Sequence, residues 1–172
     1  MNDKKQTVLG IDPGYAITGY GIITYSNRAL HYLVSGVIRT QSSDYFSDRL
    51  LKISNRLDEL IATFKPDVVA VEELFFSRNT KTGIGTAQAR GVAVVSGARA
   101  GLPVFEYTPK QVKLAVTGYG GADKQQVQQM VRILLNLQTL PRPDDAADAL
   151  AIAICHAHSG NKESALAKGG YP

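Results

Sequence analysis

The first forty residues alternate apolar runs with short polar turns. Val8 to Asp12 is a brief apolar run that ends in a Pro-Gly turn. Gly19 to Tyr25 and His31 to Thr40 are rich in β-branched and aromatic residues, and the polar tripeptide Ser26-Asn27-Arg28 separates them. Such segments favour strands, and a polar connection this short favours a hairpin. The pattern predicts a three-stranded antiparallel meander.

Helical periodicity replaces this alternation in the next segment. Apolar residues recur every three or four positions from Leu50 to Phe64, with Ser47 as the expected N-cap and Pro66 as the stop. Val68 to Val71 is then a continuous apolar run, which is typical of a strand covered on both faces. This segment therefore predicts a helix and a buried fourth strand.

The second half of the chain predicts one more strand among several helices. The segment from Gly83 to Ala100 is rich in glycine, alanine and serine and predicts a helix closed by Gly101. Val104 to Tyr107 has the composition of a fifth strand, and Thr108-Pro109 supplies an N-cap and a proline at the first helical position. The remaining predicted helices span residues 110–117, 123 to about 137, and 144 to about 158.

This order of elements implies a single α/β domain with a five-stranded mixed sheet flanked by helices. A length of 172 residues fits one domain with a substantial core and leaves no room for a second. We place that domain in residues 1–159, and we expect residues 160–172 to form a disordered tail.

The composition is that of a folded protein from a reducing compartment. Apolar residues make up 44% of the chain and charged residues 20%, which excludes a disordered chain. The single cysteine, Cys155, excludes an intrachain disulfide and a four-cysteine zinc site. The polar N-terminus and the lack of an apolar stretch near ~20 residues indicate neither secretion nor membrane insertion. The expected location is cytoplasmic.

The charge balance favours a polyanionic partner. Lys and Arg number 19 against 15 Asp and Glu, which gives a net charge of +4 and a pI near 9.2. If four of the acids lie in one site, the rest of the chain carries 19 minus 11, or +8. A basic surface around an acidic pocket suits an enzyme that acts on nucleic acid.

Four acidic residues are candidate site residues. Two lie at the ends of apolar strands, where a buried charge costs free energy, and two share one face of a predicted helix. Asp12 and Glu72 each end an apolar strand, where a carboxylate needs a hydrogen bond, an ion pair or a bound cation. Asp145 and Asp148 are three residues apart on the last predicted helix and project from the same face. An Asp before Pro-Gly can also serve a turn, and an Asp at a helix start can offset the dipole, a role that we assign to Asp144.

Together these acids predict a metal site. Carboxylate oxygens are the ligands that Mg²⁺ prefers, and the sequence has no clustered histidines or thiolates. Such a cluster could hold two ions about 3.5 to 4 Å apart, one activating a water and the other stabilising the leaving oxygen of a phosphodiester. The prediction is a metal-dependent endonuclease that needs no further cofactor.

Several short motifs occur in one order along the chain. They are Leu9-Gly10-Ile11-Asp12-Pro13-Gly14, Thr18-Gly19-Tyr20-Gly21, Ala70-Val71-Glu72-Glu73, Gln88-Ala89-Arg90-Gly91-Val92-Ala93, Val104-Phe105-Glu106-Tyr107 and Asp145-Ala146-Ala147-Asp148-Ala149-Leu150-Ala151. With these motifs the sequence closely resembles the RuvC family of Holliday-junction resolvases from about Val8 to His158. The resemblance implies a ribonuclease H-like fold. The metal-binding carboxylates that it implies are Asp12, Glu72, Asp145 and Asp148, with a histidine in place of Asp145 in some members.

The resemblance also implies a function. The activity would be that of a Mg²⁺-dependent endodeoxyribonuclease with two ions per site, for which Mn²⁺ could substitute. The enzyme would act as a homodimer on four-way DNA junctions in recombination and repair, and its paired symmetric nicks would leave 5′-phosphate and 3′-hydroxyl ends. The helix from Gly83 to Ala100 would form part of the dimer interface. The implied protein partners are the branch-migration proteins RuvA and RuvB.

The same family resemblance makes several aromatic and basic residues candidate DNA contacts. Phe75 matches an aromatic that stacks on bases near the crossover, an interaction worth roughly 1 to 3 kcal/mol per base, and Phe76 is the second candidate. Lys113 and Lys124 match positions beside the scissile phosphate and are candidate catalytic residues. Paired aromatics can equally belong to a core, and lysines can simply be solvated. The remaining candidate DNA contacts are Arg78, Lys81 and Lys110.

Two neighbouring groups are left outside the site. Glu73 would point to the opposite side of the strand from Glu72. Cys155, His156 and His158 do not complete a metal-binding spacing with any other segment, so core or surface roles are expected.

Three other functions stay open. Enzymes that process ribosomal RNA also begin with an Asp-x-Gly strand, but the spacing of Asp145 and Asp148 and the sequence Glu72-Glu73-Leu74-Phe75 favour the resolvase. The sugar-kinase and actin fold has a phosphate loop similar to Ile11-Asp12-Pro13-Gly14, but it needs two such domains. A non-catalytic junction-binding module would be expected to have lost one of the four acids, and all four are present.

Overall fold

The computed structural model describes residues 5–73 and 80–159, without the side chains of residues 80–82. The strands are β1 (Gln6–Asp12), β2 (Ile17–Ser26), β3 (Ala29–Arg39), β4 (Val68–Glu72) and β5 (Val104–Tyr107). The helices are α1 (Phe46–Phe64), α2 (Thr80–Arg99), α3 (Pro109–Thr117), α4 (Lys124–Leu134) and α5 (Asp144–Ser159). The tail of residues 160–172, which we expect to be disordered, lies outside the described residues.

The five strands form one mixed sheet in the order β3-β2-β1-β4-β5. β1, β2 and β3 pair antiparallel, which confirms the predicted meander, and β1, β4 and β5 run parallel. β1 and β4 lie in the centre, and their residues Val8 to Ile11 and Val68 to Val71 are buried. Burial on both faces explains why these two strands are continuous apolar runs. The predicted α/β class and the five-stranded mixed sheet are confirmed.

Helices cover both faces of the sheet, so the protein has two cores. On one face, α3, α4 and α5 pack against Val8 and Ala70. On the other face, α1 and α2 pack against Leu9, Val69 and Val71. Successive residues of β1 and β4 enter opposite cores because side chains alternate along a strand.

Local capping fixes where most helices begin and end. Thr108 caps α3 as predicted, with a capping box that Gln111 completes. The prediction of Ser47 as the N-cap of α1 is wrong, because the helix starts at Phe46 and the carbonyl of Tyr45 already accepts its first hydrogen bonds. The fourth helix ends at Leu134, earlier than predicted, since the backbone turns to positive φ at Asn136.

The length and apolarity of a helix decide whether it could cross a membrane. Within residues 5–73 and 80–159, no helix is both long enough and apolar enough to span a bilayer.

Candidate active site

Two adjacent strands deliver acids to one edge of the sheet. β1 and β4 are parallel neighbours, and Asp12 and Glu72 are the last residues of the two strands. Asp12 shares a strand face with Gly10, which contacts α5. Glu72 shares a face with Ala70, which belongs to the core under α5. Both side chains therefore leave the sheet on the side that α5 covers.

Glycines on β1 and β2 let α5 lie directly on the sheet. A Cβ at Gly10 would lie 2.1 Å from the carbonyl oxygen of Ala149. A Cβ at Gly19, which pairs with Asp12, would lie 2.0 Å from the carbonyl oxygen of Asp145. Real Cβ atoms do not tolerate such distances, so only glycine permits this approach. The contact sets the first turn of α5 beside the end of β1.

The four predicted acids form one electrostatic cluster. Burial is the largest cause that raises the pKa of Asp12 to about 8, and the charges of Glu72, Asp148 and Asp145 raise it further. Burial also raises the pKa of Glu72 to about 7, with Asp148 adding to the shift. The pKa of Asp148 is raised as well, again mainly by burial. Like charges this close disfavour the ionised state unless a cation compensates them.

Lys124 forms ion pairs at the edge of the acidic cluster. It is the first residue of α4, where Asp123 closes a capping box. Its Nζ lies 3.3 Å from an Asp148 carboxylate oxygen and 3.4 Å from one of Asp144. The positive charge lowers the pKa of Asp148 against the larger effect of burial. Lys124 therefore supplies part of the compensation that the cluster needs.

A cavity of about 190 Å³ opens between these groups. Glu72, Lys113, Lys124 and Asp148 all line it, together with apolar residues of α3, α4 and α5. The charge of Lys113 acts against burial and lowers the pKa of Glu72. The structure thus brings both predicted lysines to two of the four acids, with space between them for part of a ligand.

The side chains present are suited to a divalent cation. They offer only carboxylate oxygens, the donors preferred by Mg²⁺ and Mn²⁺, and two of the carboxyls have pKa values near or above neutrality without a cation. In the described part of the chain, no three His, Cys, Asp or Glu side chains are already arranged to hold a metal ion. The Asp148 carboxylate is paired with Lys124 instead.

The other predicted contacts are only partly described. Lys110 is an exposed residue of α3. Lys81 lies in the first turn of α2, and its side chain is not described. Phe75, Phe76 and Arg78 lie outside the described residues.

Cys155 and the two histidines of α5 form their hydrogen bonds with residues other than the four acids. Cys155 and His156 are buried, and the Nδ1 of His156 lies 2.8 Å from the Tyr107 hydroxyl. His158 is exposed, with its Nδ1 3.1 Å from the carbonyl oxygen of Ala115. The expectation of core and surface roles is confirmed.

Sequence reasoning missed two contributors to the site. The first is the pair Gly10 and Gly19, whose signal was visible as glycine within otherwise β-branched strands. The second is Asp144, which we had assigned to the helix dipole alone. It is the first residue of α5, and it also pairs with Lys124 and Arg142. No local pattern links Lys124 to Asp144, because these two residues come together only through packing.

The sheet order and the acids at its edge define a class. A mixed five-stranded sheet with three antiparallel strands, two parallel strands and acids on β1, β4 and the last helix is that of ribonuclease H-like nucleases. The sequence profile described as crossover junction endodeoxyribonuclease RuvC matches residues 8–156. The chain belongs to the RuvC family. Family membership makes it a nuclease of the hydrolase class and implies the use of a divalent metal.

Individual relatives support this assignment. The crossover junction endodeoxyribonuclease RuvC of Ruminiclostridium cellulolyticum is 53% identical over 152 residues, which cover 88% of this chain and 92% of the relative. That of Heliobacterium modesticaldum is 57% identical, with coverages of 88% and 94%. Among solved structures, T. thermophilus RuvC in complex with a Holliday junction substrate matches with a TM-score of 0.86 and 39% identity, over 90% of this chain and 94% of that one.

Proposed function

We propose that this protein resolves four-way DNA junctions by Mg²⁺-dependent hydrolysis of one phosphodiester in each of two strands, in recombination and repair. The observation that carries the proposal is the half-buried acidic cluster, in which the pKa values of Asp12, Glu72 and Asp148 are raised, beside Lys113 and Lys124 in a chain of the RuvC family. A cluster of this kind needs cations, and the basic remainder of the chain suits a nucleic acid.

The acids would hold the metal. Two ions per site are proposed, with Mn²⁺ able to substitute, and the proposed ligands are Asp12, Glu72, Asp145 and Asp148. When bound, divalent ions supply a hydroxide-like nucleophile from water and neutralise charge on the leaving oxygen. Asp148 would exchange its ion pair with Lys124 for this role, since both cannot occupy the same carboxylate oxygen.

The lysines would act on the phosphate itself. Lys113 and Lys124 line the cavity beside Glu72 and can donate hydrogen bonds to the non-bridging oxygens of the scissile phosphate. Hydrolysis forms a bond from phosphorus to the water oxygen and breaks the bond to the 3′-oxygen, which takes up a proton. The products are a 5′-phosphate and a 3′-hydroxyl.

Two active sites are needed for paired cuts, and a homodimer would supply them. α2 presents an exposed face with Ile84, Gln88, Gly91 and Val95, spaced along one side of the helix. We assign the dimer interface to this face. Phe75, Phe76, Arg78, Lys81 and Lys110 are proposed DNA contacts, and RuvA and RuvB are proposed partners.

A junction assay with paired acid variants tests the function. Wild type, Glu72→Gln, Asp148→Asn and Glu73→Gln are compared on a synthetic four-way junction, a linear duplex and a structured RNA, with Mg²⁺ and with EDTA. We expect selective paired nicking of the junction by the wild type in Mg²⁺. Glu72→Gln and Asp148→Asn should lose at least about 100-fold in nicking while still binding the junction, since the loss falls on transition-state stabilisation.

Glu73→Gln is the matched control, because Glu73 is adjacent to Glu72 but outside the proposed site. It should nick like the wild type. Mg²⁺-dependent nicking retained by Asp148→Asn would remove that residue from the mechanism. Preference for the structured RNA over the junction would replace the resolvase function with RNA processing.

A further inference from the structure

A second, larger cavity lies along a different face of α4 from the acids. Its volume is about 770 Å³, within the ~300 to 1,000 Å³ of typical ligand pockets. Lys124 lines the acidic cavity, whereas the next residue along the helix lines this one. We call it the α4 groove. Its lining includes Tyr119, Gln125, Gln128, Gln129 and Arg142.

The walls of the α4 groove offer amide groups and a guanidinium. Gln125 and Gln129 are one helical turn apart, so they lie on the same face of α4, and both are exposed. A glutamine amide presents a donor and an acceptor side by side, which is the arrangement that pairs with the edge of a nucleobase. Arg142, also exposed, adds a positive charge suited to a phosphodiester chain.

Tyr119 offers the groove a flat aromatic surface. Its side chain is 66% exposed, although tyrosine usually buries its ring. Its backbone is held in place, because the amide donates to the Thr117 hydroxyl and the carbonyl accepts from that same hydroxyl. The ring lies against Gly121, where a Cβ would be 2.5 Å from the phenol oxygen. An exposed ring held in this way is a platform on which a base can stack.

Gln128 gives the groove an unsatisfied donor. It is only 7% exposed, and its Nε2 makes no hydrogen bond of ordinary geometry within the described residues. A buried amide donor without a partner costs free energy. Gln128 also lines the groove, so its side chain lies beside the space that Tyr119 borders.

Asp144 connects the α4 groove to the acidic cluster. Its carboxylate oxygens lie 3.4 Å from Lys124 Nζ and 3.3 Å from Arg142 Nη1. A ligand in the groove that draws Arg142 away leaves the Asp144 carboxylate to Lys124 alone.

We propose that the α4 groove binds a single nucleobase of the junction strand, unstacked from its neighbours and adjacent to the phosphate that is cut. Tyr119 stacks on the base, and the exposed amides of Gln125 and Gln129 contact its edge. Binding of the base then strengthens the ion pair between Asp144 and Lys124. In this way the groove couples the base beside the cut to the cleavage step. The proposal rests on the junction-resolving function proposed above.

Photocrosslinking tests the groove directly. 5-Iodouracil is placed singly at each position within three bases of the crossover of a synthetic junction, which is bound in EDTA, irradiated and mapped by peptide mass spectrometry. We expect one position to give an adduct on Tyr119. Tyr119→Ala should abolish this adduct and Tyr119→Phe should keep it. The control Tyr45→Ala, which removes an exposed tyrosine far from α4, should change nothing.

Cleavage measured in parallel in Mg²⁺ gives the second readout. An abasic site at the reactive position should slow cutting by the wild type roughly 5- to 100-fold, the range expected for loss of one stacked base. It should slow Tyr119→Ala no further, because that variant has already lost the contact. Gln129→Ala should also slow cutting, whereas Gln138→Ala, another exposed glutamine outside the groove, should not.

The outcomes separate the two proposals. If the wild type binds and cuts the junction but no position gives an adduct in residues 117–142, the groove proposal is wrong and the resolvase function stands. Additive losses for the abasic site and Tyr119→Ala would also overturn it. If the wild type neither binds nor cuts the junction, the proposed function fails, and a junction base as the ligand of the groove fails with it.

Discussion

At the scale of single residues, the arrangement of the site reflects the free-energy cost of burying like charges close together. Asp12 and Glu72 each follow an apolar run at the end of a strand, and both have raised pKa values. Lys113 and Lys124 offset part of that cost but not all of it. Without a cation the folded state therefore favours protonated acids, and a divalent ion would favour the ionised form.

The pH dependence of metal-free stability follows from these shifts. The pKa of Asp12 rises from 3.8 in the unfolded chain to about 8 in the folded one, so its stabilising contribution is complete below 3.8 and is lost as pH rises through about 8. Glu72 behaves likewise between 4.5 and about 7. His156 acts at lower pH: burial lowers its pKa from 6.5 to about 4, and its contribution is lost as pH falls through that window.

We therefore predict that Asp12→Asn stabilises the metal-free protein. In EDTA at pH 8 the gain should be on the order of 2 kcal/mol, or roughly 4 to 8 °C in Tm, since a buried carboxylate that is forced to ionise is removed. The gain should shrink as pH falls towards 6. Differential scanning calorimetry across this pH range measures it.

Magnesium and a surface variant provide the controls for this prediction. Adding Mg²⁺ should stabilise the wild type more than Asp12→Asn, because binding to the folded state adds to its stability. Asp44→Asn, at an exposed position, should leave Tm unchanged in EDTA. A lower Tm for Asp12→Asn in EDTA at pH 8 would contradict the electrostatic account.

At the scale of elements, the site depends on how closely α5 approaches the sheet. Gly10 and Gly19 leave no side chain between the strands and the α5 backbone, and α5 meets them with small residues such as Ala149. The same contact fixes the height of Asp145 relative to Asp12, which pairs with Gly19. The position of two acids is thus set by residues that have no functional group.

Gly19→Ala tests this dependence. The new Cβ would lie 2.0 Å from the carbonyl oxygen of Asp145, so the start of α5 must move away. We predict a loss of roughly 1 to 3 kcal/mol in the free energy of unfolding, typical of overpacking, together with a loss of junction nicking that exceeds the loss of junction binding.

Urea denaturation and nicking rates on the same protein preparations measure both effects. Ser26→Ala, at the opposite end of β2 from Gly19, is the control and should match the wild type in both. A Gly19→Ala variant with unchanged stability and nicking would show that α5 does not need this approach to place its acids.

At the scale of the whole molecule, exposed apolar residues and charge indicate where other molecules bind. The chain carries a net charge of +4 and four of its 15 acidic residues lie in one site, so the rest of the chain is more basic than this total and is suited to DNA. α2 exposes Ile84 and Val95, at 58% and 57%, on the face proposed for the dimer. Exposed apolar residues on one helical face favour association with another surface.

We predict that Val95→Arg separates the dimer. Two arginines would meet across the two-fold axis, where like charges without partners are unfavourable. Size-exclusion chromatography with light scattering should give a mass near 18.5 kDa for this variant and twice that for the wild type. On a junction, the variant should produce single nicks in place of paired ones.

Ile133→Arg is the matched control, because Ile133 on α4 is also 57% exposed but lies off the proposed interface. It should remain a dimer and keep paired nicking. A Val95→Arg protein with the mass of the wild type would move the interface away from this face of α2.

The sequence alone determined what depends on near neighbours along the chain. Alternation, helical periodicity, composition and turn or capping residues predicted the five strands and five helices found in residues 5–73 and 80–159, and Thr108 was identified as a cap because capping involves residues three positions apart. Asp12 and Glu72 stood out because each follows an apolar run. Ser47 was misassigned because a cap depends on the backbone of the preceding residue as well as on the side chain.

Only the tertiary structure decided which distant residues meet. The parallel pairing of β1 with β4, the packing of α5 on Gly10 and Gly19, and the ion pair of Lys124 with Asp144 all join segments far apart in the chain. Such contacts depend on how whole helices and sheets pack, and no short window of sequence records that packing. The α4 groove became visible for the same reason, since it is lined by residues of α3, α4 and the loops that follow these two helices.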